Sequence, residues 1–172
     1  ISFLKKYLPH QRWLLIHIAK RLQGLLVPAG NPKSIRGIED LERPDLRYIN
    51  RQKGSGTRLL LDYLLNKLKI SSEAINGYTR EVYNHLSVAA AIHDGTADTG
   101  LAIYAAARAL HLDFLELTDE SYELCIATAL VPPTTIDLIL DTINSSDFKQ
   151  ALQQAGGYDT SQTGKIVYEN NC

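Results

Sequence analysis

Residues 50–58, which read NRQKGSGTR, combine the groups that bind anions in proteins. The stretch contains three cations, two hydroxyl donors and two glycines, namely Arg51, Lys53, Arg58, Ser55, Thr57, Gly54 and Gly56. Glycine lets the backbone approach a ligand closely, and the first N–H groups of a helix favour negative charge. Because the stretch follows a predicted strand and opens a predicted helix, it predicts an anion site. The alternative is a solvated turn in which Ser55 or Thr57 only caps the helix.

The same stretch departs from the common nucleotide-binding and nucleophile loops. It lacks the Gly-Lys-Ser/Thr ending of a P-loop. Leu59 stands where the dinucleotide fingerprint requires its third glycine, and Lys53 stands where a nucleophile elbow requires its first. The stretch therefore does not predict a nucleotide site or an activated serine of the usual kinds.

Two further loops are candidates to contact the same ligand. Tyr83 and His85 flank Asn84, a good helix cap, at the start of an alanine-rich segment. His85 could donate a hydrogen bond to an anion, or it could pack at the end of the sheet. Tyr104 and Arg108 follow a third predicted strand, so they could close over the ligand, although Arg108 could equally be a surface residue.

The elements that must position these loops alternate along the chain. Strands are predicted at 46–50, 77–83 and 97–103, and helices at 57–69, 85–94 and 104–110. This alternation predicts an α/β layer with parallel strands. Ligands of such sheets bind beyond the carboxyl ends of the strands. The glycine-containing stretch, Tyr83–His85 and Tyr104 are therefore expected at one edge.

The remaining segments are predicted with less detail. Extended runs are predicted at 12–18 and 24–28, a short helical turn at 38–41, extended pieces around a turn at 119–121 within 115–127, helices at 136–143 and 147–155, and an irregular tail from 158. Ser146 or Asp147 is expected to cap the last helix.

Composition excludes several classes of protein. With 18 basic and 19 acidic residues, the net charge of −1 provides no long-range field for nucleic acid or an anionic membrane. No apolar run approaches the roughly 18 to 20 residues that span a bilayer, and the N-terminal region has no signal-peptide cleavage site. The five histidines include no pair at i, i+3 or i+4, so no metal-cation site is predicted, and no catalytic set stands out.

Cys125 is expected to be a buried thiol and Cys172 a tail thiol, which favours a reducing compartment.

The order of elements resembles the type II periplasmic-binding-protein fold. The resemblance rests on residues 26–33 (LVPAGNPK), 38–41 (IEDL), the Ser/Gly loop, 88–100 (VAAAIHDGTADTG) and 148–158. More narrowly, residues 50–58 and 156–164 (GGYDTSQTG) are similar to a cytoplasmic branch of that fold. In that branch the binding domain is fused to a helix-turn-helix DNA-binding segment or to a molybdopterin-biosynthesis enzyme.

The resemblance implies two lobes joined by a hinge. Residues 1–40 would belong to the first lobe, 41–113 would form the second lobe with the anion loop, and 114–172 would return to the first lobe. The β-α-β-α block that normally opens the first lobe would be absent. The chain begins at Ile1 and contains no methionine, so we expect it to be a fragment or a processed form of something longer.

The resemblance also implies a non-enzymatic protein that binds a small oxyanion, with molybdate or tungstate as the leading candidates. The ligand contacts carried over are Arg51, Ser55, Gly56, Thr57, Arg58, Tyr83, His85 and Tyr104. The implied role is molybdenum uptake, regulation or cofactor biosynthesis in the cytoplasm, with no cofactor besides the oxyanion and with a homodimer as a further expectation. The alternative is a pterin-like or carboxylate metabolite in a transcriptional regulator, held in a pocket lined by Tyr48, Tyr83 and Tyr104.

Overall fold

The computed structural model describes residue 6 and residues 11–169 of the 172-residue chain. The chain divides into two compact units, of which unit 1 is Ile1–Arg21 with Glu120–Cys172 and unit 2 is Leu22–Asp119. Both divisions fall inside 15-residue strands, β1 (Trp13–Val27) and β5 (Asp113–Ala127). The sequence prediction starts the second lobe at 41, whereas residues 22–40 lie in unit 2 because their apolar side chains join its core.

Unit 2 contains the predicted alternation of strands and helices. Its elements after β1 are β2 (Tyr48–Arg51), α1 (Gly56–Leu68), β3 (Glu81–Val82), α2 (His85–His93), β4 (Thr99–Ile103) and α3 (Tyr104–Ala109), with 3-10 turns at Ile38–Glu42 and Ser72–Ala74. The α/β fold class is confirmed. β3 is much shorter than its predicted span, because only Glu81 and Val82 pair with β2.

The sheet of unit 2 has the strand order β3-β2-β4-β1-β5. β2 is parallel to β3, with Arg51 opposite Val82, and parallel to β4, with Ile49 opposite Gly100. β1 runs antiparallel to β4. The carboxyl ends of β2, β3 and β4 therefore lie at one edge, as the sequence predicts.

The core of unit 2 lies between the sheet and α1. Its largest buried side chains include Leu25, Ile35, Leu41, Leu46, Tyr48, Leu61 and Leu101. Gly100 in β4 is required for close packing, because a Cβ atom there would lie 2.6 Å from Val88 Cγ1 and 2.7 Å from the Ile49 oxygen. Leu86 lies in the first turn of α2 and is exposed, whereas Val88, Ala89 and Ile92 of the same helix are buried.

Unit 1 consists of the first half of β1, the second half of β5, α4 (Pro133–Asn144), α5 (Ser146–Ala155), β6 (Tyr158–Asp159) and β7 (Ile166–Glu169). The expectation of an irregular tail is wrong, because β6 and β7 both pair antiparallel with β1. The extended runs predicted at 12–18 and 24–28 are confirmed as parts of β1, but the break between them is wrong because β1 is one continuous strand. The turn predicted at 119–121 is also wrong, since β5 is continuous there.

Two local expectations in unit 1 are corrected. Ser145, rather than Ser146 or Asp147, caps α5, and its Oγ accepts a hydrogen bond from the Phe148 N–H at 3.2 Å. Cys125 is exposed rather than buried, because alternate residues of β5 face opposite sides and its neighbour Ile126 occupies the core. His10 and Cys172 lie outside the described residues.

A buried carboxylate organises the start of β4. Asp98 accepts hydrogen bonds from the Arg47 backbone N–H at 2.8 Å, from the Arg47 guanidinium at 2.8 and 3.0 Å, and from the Lys33 ammonium at 3.2 Å. The Arg47 side-chain hydrogen bond holds the pKa of Asp98 well below its usual range, although burial acts in the opposite direction. The charged form of Asp98 therefore stabilises the fold.

We expect Asp98→Asn to lower the free energy of unfolding at pH 7 by about 1 to 2 kcal/mol, because the Arg47 and Lys33 donors lose a charged acceptor. The folded-state pKa is depressed, so this contribution is complete above the unfolded value of about 3.9 and is lost as the pH falls through the folded pKa. Urea unfolding between pH 2 and 7 measures both effects. Asp45→Asn, at a more exposed carboxylate that binds Arg43, should lower the free energy of unfolding by less than Asp98→Asn does. An unchanged acid slope in Asp98→Asn would contradict the assignment.

Candidate functional site

Three helices of unit 2 begin at the edge where the parallel strands end. Ser55 caps α1, and its Oγ accepts from the Arg58 N–H at 3.2 Å. Asn84 caps α2, as predicted, and its Oδ1 accepts from the Ser87 N–H at 2.7 Å. α3 begins at Tyr104 directly after β4. The first N–H groups of α1 and α2 therefore open toward the loops that the sequence selects.

Arg51 joins the first two loops. Its guanidinium Nη2 donates to the Tyr83 carbonyl at 3.0 Å, and its Nη1 lies 3.0 Å from Nδ1 and 3.2 Å from Nε2 of His85. Its Nε donates to the Gln52 side-chain oxygen at 3.2 Å. Arg51 is only 8% exposed, so these contacts hold its charge in one place at the end of β2.

Arg51 Nη1 lies almost equally far from the two ring nitrogens of His85, so the guanidinium rests against the imidazole ring. The side chain is half-buried at the first position of α2. The imidazole and the guanidinium thus form one polar contact between β2 and α2. This pair, which we call the Arg51–His85 pair, is the most organised polar feature of the edge.

The glycine-containing stretch is open beside this pair. Gly54 has φ +85°, a left-handed conformation that favours glycine, and a Cβ atom at Gly56 would meet nothing within 4 Å. Thr57 is 4% exposed, yet its hydroxyl makes no hydrogen bond to the described residues. Ser55 accepts a hydrogen bond as a cap, and its own O–H has no acceptor within the described part of the chain. Two hydroxyl donors at the start of α1 are therefore suited to an anionic acceptor.

The guanidinium of Arg58 contacts other side chains of the protein. Its guanidinium binds Asp62 and Glu81, each at 3.1 Å, and lies 4.0 Å from the centre of the Tyr78 ring. Its Nη1 also donates to the Arg51 carbonyl at 3.3 Å. At 4% exposure these contacts give Arg58 a structural role between α1 and β3. A contact of Arg58 with a ligand stays a prediction.

Tyr48, Tyr83 and Tyr104, which the sequence suggested as a pocket lining, lie in different environments. Tyr83 is 79% exposed, while Tyr104 packs edge-to-face against Phe114 with ring centres 5.3 Å apart. Tyr48 lies in the core, where its hydroxyl accepts from the Leu101 N–H, so it does not line a ligand pocket. Burial raises the pKa of Tyr48, which keeps this hydroxyl neutral.

A pocket of about 390 Å³ connects the second and third loops. It is lined by Asn84, His85, Leu86, Ile103, Ala105 and Ala106. His85 belongs both to this pocket and to the Arg51–His85 pair, so the pocket adjoins the polar edge. Sequence analysis missed the four apolar residues of its wall. The only signal for them was the alanine run after β4, which leaves little side-chain volume above the strand end.

Comparison with known proteins decides the family. The family model of the PBP superfamily domain, that is, of periplasmic-binding-protein-like domains, matches residues 1–144. The chain belongs to the PBP superfamily. The type II periplasmic-binding-protein fold predicted from the sequence is thereby confirmed, and so is its coarse function as a ligand-binding domain.

Individual relatives of this PBP domain support the family without settling its ligand. The chain is similar to the uncharacterized protein YvgK of Bacillus subtilis, at 36% identity over 97% of this chain and 54% of YvgK. It therefore spans about half the length of that relative. Among the residues that the structure describes, no group of three or more His, Cys, Asp or Glu side chains is placed to hold a metal ion, and no helix is long and apolar enough to cross a membrane.

Solved structures share the fold at low sequence identity. The ancestral amino acid-binding protein AncCDT-1, a precursor of cyclohexadienyl dehydratase, matches with a TM-score of 0.60 and 16% identity over 90% of this chain and 64% of its own. A Clostridium difficile substrate-binding domain assigned to a molybdenum ABC transporter matches with a TM-score of 0.57 and 14% identity over 92% and 71%. These neighbours support the fold, and their different ligands leave the ligand of this PBP domain open.

We expect Arg58→Ala to lower the free energy of unfolding by about 2 kcal/mol, because it removes a buried side chain together with its contacts to Asp62, Glu81 and the Tyr78 ring. Lys53→Ala, at an exposed cation of the same stretch, should change it by less than about 0.5 kcal/mol. Urea denaturation followed by circular dichroism compares the two variants. Equal unfolding midpoints would contradict the structural role of Arg58.

Proposed function

We propose that this PBP domain binds a small ligand through an oxyanionic group at the edge formed by β2, β3 and β4. The observation that carries the proposal is the Arg51–His85 pair, held in place where three parallel strands end. The glycine-containing stretch lies next to it in the chain and supplies hydroxyl donors and the start of α1. An anion at this edge would accept hydrogen bonds from both.

The chemistry of the groups favours an oxyanion over a cation or a neutral ligand. Arginine presents donors in a planar fork that matches the oxygens of a carboxylate, phosphate or similar group. The hydroxyls of Ser55 and Thr57 and the first N–H groups of α1 add donors from a second direction. An oxyanion of tetrahedral or planar shape could therefore be surrounded by donors from two loops.

The identity of the ligand rests on the sequence resemblance. Molybdate and tungstate are the inorganic candidates, and a solved neighbour assigned to a molybdenum transporter supports testing them first. The alternative is an organic anion such as a carboxylate or a pterin-like metabolite. A cytoplasmic role in regulation or cofactor biosynthesis, fusion to a DNA-binding or molybdopterin-enzyme domain, and formation of a homodimer remain parts of the proposal.

A binding role is favoured over catalysis by the geometry of a serine–histidine contact in the described part of unit 1. Ser121 Oγ lies 3.1 Å from His17 Nδ1 and 3.0 Å from Glu123 Oε1. In a nucleophilic triad the carboxylate orients the histidine, which then takes the serine proton. Here the carboxylate accepts the hydrogen bond of the serine hydroxyl itself, and Glu123 is therefore not placed as the group of a triad that orients the histidine. This arrangement does not activate Ser121 as a nucleophile.

We expect titration calorimetry to detect binding of at least one anion among molybdate, tungstate, sulfate, phosphate and small carboxylates. Arg51→Gln should weaken that binding by about 10- to 100-fold, because a charge-assisted hydrogen bond is worth about 1.5 to 3 kcal/mol. Thr57→Val, which keeps the side-chain volume while removing the hydroxyl, should weaken it by about fivefold.

The control is Lys67→Gln, which removes a positive charge from the last turn of α1, about 16 Å from its first residue. Its affinity should remain within about twofold of the unsubstituted protein, and melting temperatures would verify that each variant is folded. Flat titrations for every anion would reject the proposal. Unchanged affinity in Arg51→Gln would place the site elsewhere.

A further inference from the structure

We infer that the anionic group of the ligand is attached to a compact apolar organic body, and that this body occupies the pocket between the starts of α2 and α3. The inference rests on the proposed function, since it assumes that the Arg51–His85 pair binds the anionic end. It assigns a substrate class, small amphipathic organic anions, rather than bare inorganic oxyanions.

The surface of the pocket is almost entirely apolar. Leu86, Ile103, Ala105 and Ala106 line it together with Asn84 and His85. His85 contacts Arg51 within 3.0 Å, so an anion bound by Arg51 would lie next to the mouth of the pocket. A ligand with one charged end could therefore fill both regions without a break in its contacts.

The apolar wall is unsuited to a bare oxyanion. Molybdate or sulfate carries charge on every oxygen, and each oxygen placed against carbon atoms would lose hydrogen bonds to water without replacement. An aliphatic or aromatic group has no hydrogen bonds to lose in the same contact, and the transfer of its apolar surface out of water is favourable. The chemistry of the wall thus discriminates between the two ligand classes that the proposed function leaves open.

Two large side chains in or near the pocket are exposed, and this supports an organic ligand. Leu86 is 56% exposed although it lines the pocket, and Tyr83, two residues before the pocket-lining His85, is 79% exposed. Soluble proteins tend to expose neighbouring large apolar side chains where they bind something. An organic body entering the pocket would remove part of Leu86 from water.

The volume of the pocket limits the size of that body. At about 390 Å³ it lies at the small end of the roughly 300 to 1,000 Å³ range of ligand pockets. Ala105 and Ala106 determine this volume, because a larger side chain at either position would occupy it. A single ring or a short chain fits this description better than a nucleotide or a long acyl chain.

The test is calorimetry of the protein with two ligand series. One series consists of acetate, butyrate, hexanoate, benzoate and phenylacetate, and the other of sulfate, phosphate, molybdate and tungstate. We expect affinity in the first series to rise by about three- to fourfold for each methylene buried. At least one member should bind more tightly than every inorganic anion.

Ala105→Leu should fill the pocket and weaken binding of benzoate at least tenfold, while the weaker binding of sulfate changes by less than twofold. Ala109→Leu is the matched control, because Ala109 is exposed on the same helix and does not line the pocket. Leu86→Ala, at an exposed wall residue with little effect on folding, should weaken benzoate binding threefold or more.

The outcomes separate the two proposals. If inorganic anions bind as tightly as the best carboxylate and Ala105→Leu alters neither, the inference fails while the proposed anion site stands. If neither series binds, both fail. If benzoate binding is lost in Ala105→Leu but is unaffected by Arg51→Gln, the pocket is a ligand site and the anion site is wrong.

Discussion

The parallel pairing of β2 with both β3 and β4 is the constraint on which the candidate site depends. Because β2 lies between two parallel neighbours, the loops that follow all three strands must leave at the same edge. Gly100 makes this arrangement compatible with a packed core, since no side chain at that position would fit between β2 and α2. The helices then begin at that edge, with their unsatisfied N–H groups beside one another in the order that the strands impose. The parallel strand order thus explains why these polar groups lie at one edge of the sheet.

Arg51 and Arg58 illustrate how packing assigns different roles to the same side chain. They lie seven residues apart and both are buried, but Arg58 is directed along α1 to carboxylates and to the Tyr78 ring. Arg51 is directed to a carbonyl and a histidine at the strand ends. A buried cation paired with carboxylates has its charge compensated within the protein. The Arg51–His85 pair lies near the starts of α1 and α2 and near the Ser55 and Thr57 hydroxyls, which is why we propose it as part of an anion site.

Membership of the PBP superfamily establishes the general function, whereas ligand selectivity depends on the particular side chains of unit 2. The family establishes a ligand-binding domain, and its structural neighbours have different ligands. Chemical selectivity must therefore come from residues that vary on a common fold, which is the usual relation between fold and function. In the site that we propose for unit 2, those residues are the short side chains after β4 and the large ones at the start of α2. In that proposal they determine whether the space beside the anion site is apolar or polar.

The sequence by itself determined the elements whose causes are local. The spacing of leucines around Leu61 and Leu65 indicated α1, Asn84 indicated the start of α2, and alternating elements indicated parallel strands. It also placed Arg51, Tyr83 and His85 near one another, because strand ends of a parallel sheet coincide. Only the tertiary structure decided whether the tail is extended, since β6 and β7 form by pairing with β1 more than 130 residues earlier in the chain. It also decided the partners of Arg58 and the pocket beside His85, because both depend on which distant side chains packing brings into contact.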